Sequence, residues 1–81
     1  MPSLFPIYRR SLNGRHFYRI EGPRAFTEVQ LVGAGAVIHR VVDAAYPEQV
    51  RIGEMIASAG GLYVAVDARE FDRMLDLHSG K

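Results

Sequence analysis

Residues 25–32, AFTEVQLV, can be read with two different periods, and the choice between them sets the topology of the whole chain. On a helical period Ala25, Phe26, Val29 and Val32 form one apolar stripe. Gly22-Pro23 ahead of them offers an N-cap and a proline at the first helical position, and Gly33 behind can close the helix. On a period of two, Val29 and Leu31 alternate with polar neighbours, as in a strand. The punctuation at both ends agrees with the helix, and the stretch is assigned to a short one.

Upstream, Asn13-Gly14 separates two apolar and aromatic runs, which is the strongest short-range signal of a β-hairpin because both central residues of a type I′ turn need positive φ. A two-residue loop pairs Arg10 with Phe17, Arg9 with Tyr18, Tyr8 with Arg19 and Ile7 with Ile20. Directly opposed residues share a face. One face then holds Phe5, Ile7, Arg9, Ser11, His16, Tyr18 and Ile20, and its apolar end assigns it to the core. The other face alternates rings and cations through Tyr8, Arg10, Leu12, Arg15, Phe17 and Arg19, which is the pattern of a solvent face.

Downstream, the β-branched run VIHRVV predicts a strand from about Ala36 to Asp43. Ile52, Met55, Ile56 and Ala59 recur at helical spacing after Pro47 and before Gly60-Gly61, which predicts an amphipathic helix. LYVAV, residues 62–66, supplies a further strand. In VDAREF, residues 66–71, Asp67 is placed to cap a last helix by accepting from the Glu70 amide, with the Glu70 carboxylate reaching back and Val66 and Phe71 forming a hydrophobic staple. That helix presents Phe71, Met74, Leu75 and His78 on one stripe. The expected fold is a single α+β domain over residues 1–81: a mixed four-stranded sheet in which an N-terminal β-hairpin is followed by αβαβα, with helices on one face and a right-handed crossover between the third and fourth strands.

A chain of 81 residues supports one hydrophobic core, and with 48% hydrophobic and 23% charged residues its composition is that of a folded globular domain. Having no cysteine, it can form no disulfide, thiolate metal site or cysteine nucleophile. The opening MPSLFPIYRR lacks the basic and apolar regions of a secretory signal, and no apolar run approaches a membrane span, so a cytoplasmic protein is expected. The net charge of +1 conceals a division, with five Arg against one Glu in residues 1–24 and an excess of acids after them. A basic face that meets an acidic partner and two halves that attract each other in the fold explain this equally well.

The chemistry-bearing residue types form no motif. GAGAVI, residues 33–38, starts like a dinucleotide fingerprint but lacks the third glycine and precedes a strand, where the fingerprint must open a helix. His16, His39 and His78 are scattered, without the close spacing of a zinc site, so no metal and no cofactor is expected. Ser3, Ser11 and Ser58 sit in no nucleophile elbow, and the acids Asp43, Glu48 and Glu54 are explained by a helix N-terminus. The chain is not expected to be an enzyme, and no catalytic residue is assigned.

What remains is the hairpin face formed by Tyr8, Arg10, Arg15, Phe17 and Arg19. Tyr and Arg are enriched at interface hot spots, and the expected function is a non-catalytic protein-interaction module, with another protein or a second copy in a homodimer as its partner. The alternative is single-stranded RNA binding, with Tyr8 and Phe17 as stacking platforms and the arginines following the phosphates. A third reading is a small-molecule-binding domain, with the sheet face opposite the helices left as a shallow pocket. No membrane partner is expected.

Overall fold

AFTEVQLV is a strand. In the computed structural model, which describes residues 4–79, Ala25–Val32 (β3) lies between His16–Gly22 (β2) and Gly35–Val41 (β4). Ile7–Ser11 (β1) pairs with the other side of β2, and Tyr63–Ala65 (β5) pairs with β1, giving a five-stranded sheet in the order β4-β3-β2-β1-β5. Every pairing is antiparallel, so the mixed four-stranded sheet and its parallel crossover are replaced by a meander that a late strand extends. Ser3 lies outside the described residues.

The residues that seemed to punctuate a helix are turn residues. Pro23 sits in the reversal between Gly22 and Ala25, which are paired, where its fixed φ suits a tight turn. Gly33, at φ 59°, makes the second reversal between the paired Val32 and Gly35. Between them Phe26, Thr27, Glu28 and Val29 are all buried, because β3 is covered on both faces. The alternation of Glu28, Val29, Gln30 and Leu31 is the correct signal, and the polar Thr27 and Glu28, buried beside apolar neighbours, let the stretch also fit a helical stripe.

The first hairpin has the expected register, Ile7↔Ile20 through Arg10↔Phe17. Its turn is not the expected type I′, since Gly14 has positive φ but Asn13 does not. Instead the Gly14 amide donates to the Ser11 carbonyl at 3.0 Å, and the Asn13 side-chain oxygen accepts from the Ser11 hydroxyl at 2.7 Å and the Arg15 amide at 2.9 Å. The asparagine closes the loop with its side chain, as Asx turns do.

Helix Tyr46–Ala57 (α1) buries Ile52 and Met55 against Tyr18, Ile20 and Phe26. Helix Ala68–Ser79 (α2) buries Phe71 against Phe17 and Val29. Adjacent residues of a strand point to opposite faces, so Phe17 and Tyr18 carry the two helices on opposite sides of the sheet. The expectation of helices on one face is thereby corrected, and so is the solvent face assigned to Tyr8 and Phe17, which lies beneath α2. The two halves of the core that result are small, and each is anchored by a phenylalanine or isoleucine with less than 2% of its surface exposed.

Both helix ends are secured by residues of other segments or by local caps. The Asp67 carboxylate accepts from the Arg69 amide at 2.8 Å, one residue short of the expected Glu70, and Val66 packs with Phe71 in the cluster the staple predicts. Among the described residues Glu70 makes no return bond. At the C-terminus of α1, where the last turn holds no basic residue, Arg9 of β1 donates to the carbonyls of Met55 at 3.2 Å and Ile56 at 3.0 Å. A cation at that end opposes the negative pole of the helix and supplies donors to two terminal carbonyls, of which Met55 also accepts from the Ser58 amide at 3.2 Å. Among the described residues no helix is long and apolar enough to cross a membrane.

Candidate functional site

The hairpin residues singled out by sequence are placed together only in part. Phe17 is 3% exposed, and the Tyr8 ring lies 5.7 Å from that of Phe71 at 57°. Arg19 crosses the edge of this layer with its guanidinium 5.3 Å from the Phe71 ring and its Nε donating to Glu21 at 3.0 Å. Arg10 donates to the neighbouring Ser11 carbonyl at 3.1 Å, and Arg15 stands in the exposed turn. Four of the five therefore share the α2 side of the sheet, but their rings pack against α2, whereas stacking on bases requires an open ring face.

A different group of residues converges on the α1 side. Glu28 is a carboxylate in the middle of the sheet with 8% of its side chain exposed, directly opposite Tyr18 on one neighbouring strand and His39 on the other. Its Oε2 is 2.6 Å from His16 Nδ1, and its Oε1 is 3.9 Å from Arg51 Nη2. Arg51 comes from α1, donates the same nitrogen to the Tyr18 hydroxyl at 3.1 Å, and stacks over the rings of Tyr18 and Phe26 at 5.6 and 5.7 Å. The His16 ring lies parallel to that of Tyr18, tilted by 8° with centroids 6.3 Å apart.

Desolvating a carboxylate is costly unless it is paired and hydrogen-bonded, and Glu28 is both. Burial pushes the Tyr18 phenol above its ordinary pKa, and the negative charge of Glu28 adds to the shift, while Arg51 pulls against it. For Arg51, burial disfavours the charge, but Tyr18 and Glu28 outweigh it, so the guanidinium is held more firmly protonated than in water. The cluster thus contains a fixed cation, a buried anion and an imidazole.

Two open recesses meet at His16 and Arg51. The first, of about 470 Å³, runs from these residues and Tyr18 to Tyr63 and an apolar lip formed by Leu12 and Leu62. The Leu12 amide donates to the Leu62 carbonyl at 3.0 Å, which ties the lip together, and both leucines are well exposed. The second, of about 350 Å³, crosses Glu28 and Gln30 to His39 and Glu48. Among the described residues no group of three His, Cys, Asp or Glu side chains is placed to hold a metal ion.

Glu28 and Arg51 were missed by sequence reasoning. A strand reading of AFTEVQLV would have put Glu28 on the same face as Tyr18 and His16, which is the one signal that could have exposed it. Set against protein-family models, curated proteins and solved structures, the chain matches none.

Proposed function

We propose that the protein is a small-ligand-binding domain whose ligand is an organic acid with an apolar body, seated on the α1 side of the sheet between Arg51 and the Leu12–Leu62 lip. The observation that carries this reading is that His16, held at 2.6 Å by the buried Glu28 carboxylate, lines an open recess together with Arg51. A desolvated polar cluster beside a concavity is a candidate functional site. A volume near 470 Å³ falls within the range of small-molecule pockets.

The ligand chemistry follows from the groups offered. Arg51 is donor-only, and Glu28 spends an oxygen on His16, so the polar end of the recess favours a ligand that supplies acceptors. A carboxylate meets this need and pairs with a guanidinium through two parallel hydrogen bonds. The exposed leucines and the Tyr63 ring suit an apolar tail at the opposite end.

The test is a titration with aliphatic and aromatic monocarboxylates, followed by amide chemical shifts. The expected result is a set of perturbations concentrated at His16, Arg51, Leu62 and Tyr63. Arg51→Met should abolish them, and the matching neutral amides should bind at least about tenfold more weakly, the loss of one charged hydrogen bond. Equal binding of acid and amide, or shifts scattered over the surface, overturns the reading.

A further inference from the structure

The outer edge of the sheet at β4 is a seven-residue strand, Gly35–Val41. Its register with β3 is unbroken from Phe26↔Val41 to Val32↔Gly35, and among the described residues no strand pairs with its other edge. The opposite edge is handled differently, since β5 has only three residues and runs between a 3-10 turn and α2. Monomeric proteins blunt long edges with charged side chains, lysine above all, and with proline, bulges or short strands. The β4 sequence GAVIHRV has no proline and no lysine, Arg40 near its end is its one charged residue, and Val37 is 44% exposed.

We propose that β4 pairs with β4 of a second copy, antiparallel about a two-fold axis through Ile38, to make one continuous ten-stranded sheet. The choice of a second copy rests on how the strand's own side chains match under that symmetry. An axis at Ile38 uses the whole of Gly35–Val41 and sets Ile38 against its symmetry mate, Val37 against His39, Ala36 against Arg40 and Gly35 against Val41. Each polar or charged side chain therefore meets an apolar one. The two Arg40 residues lie four positions apart along the strands, about 13 Å, which exceeds the screening length of about 8 Å at physiological salt. Val37 of each copy falls beside His39 of the other, so the second recess gains an apolar wall from across the axis.

The oligomeric state, followed by light scattering after size exclusion over a range of concentrations, tests the pairing. The wild-type chain of 9.0 kDa should run at twice that mass. Val37→Lys, at a position already exposed, should run as a monomer with an unchanged circular dichroism spectrum. Register is read separately, because the chain contains no cysteine of its own. Ile38→Cys lies on the axis, where opposed Cβ atoms are about 4.5–5.5 Å apart, and should cross-link under oxidised glutathione. Arg40→Cys lies too far from its mate and should not. A wild-type monomer at every concentration, a Val37→Lys dimer, or cross-linking of Arg40→Cys as readily as Ile38→Cys each overturns the proposal.

Discussion

Arg9 of β1 and Ile56 of α1 are joined by a 3.0 Å hydrogen bond from guanidinium to carbonyl, and the same guanidinium reaches Met55 at 3.2 Å. The helix receives from the sheet the cation that its own last turn lacks. Arg9→Met, which keeps the aliphatic stem, should therefore destabilise the protein by about 1.5–3 kcal/mol, the range for hydrogen bonds to a charged group. Arg9→Lys should restore only part of it, since an ammonium cannot reproduce the planar fork. Urea unfolding of the three proteins measures both steps, and an unchanged midpoint for Arg9→Met would remove the helix-closing role.

Glu28 should be far more sensitive to loss of its hydrogen bonds than to loss of its charge. Glu28→Ala leaves His16 without its hydrogen-bond partner and Arg51 without its counter-charge and should cost about 2–4 kcal/mol, whereas Glu28→Gln keeps an acceptor near His16 and should cost about half as much. Denaturant midpoints of the two variants decide this, and equal values would mean that Glu28 matters only as a charge.

The raised pKa of Tyr18 carries a sign for alkaline stability. In the unfolded chain the phenol loses its proton near pH 10, while in the fold burial and Glu28 keep it protonated to higher pH. The unfolded state then binds fewer protons than the native state, so stability is fully present below about pH 10 and falls as pH rises above it. Tyr18→Phe should show a shallower alkaline loss than wild type in melting curves recorded from pH 8 to 11. Parallel curves would show that Tyr18 does not contribute to it.

Asp67 caps α2 through the Arg69 amide, and Asp67→Ala should cost about 0.5–2 kcal/mol. Asp72→Ala, on the exposed side of the same helix, should change stability by less than about 0.5 kcal/mol. Equal melting temperatures for the two would deny the cap.

The hairpin register could be read because a turn signal and flanking apolar residues specify it together, even though Asn13 closes the loop by its side chain. Both helices could be read from their periodicity. The stretch AFTEVQLV was not read as the strand it is, because the alternation of Glu28, Val29, Gln30 and Leu31 competed with a helical spacing, and proline and glycine punctuate turns as readily as helix ends. That one reading also concealed the candidate site. Glu28 is 12 residues from His16 in the chain, and Tyr18 is 33 from Arg51, so their meeting depends on the meander and on the side that α1 covers. No local pattern contains that information.

The place of β1 within the sheet has a consequence for the order in which the chain folds. Hairpins β1–β2, β2–β3 and β3–β4 each close a short loop, but β1 becomes an interior strand only when Tyr63–Ala65 returns to pair with it from far along the chain. Long loops cost more entropy to close, and contacts of large sequence separation form late. The meander can thus assemble while the β1–β5 ladder is still open, and the strand that bears Arg9 gains its second neighbour later than its first.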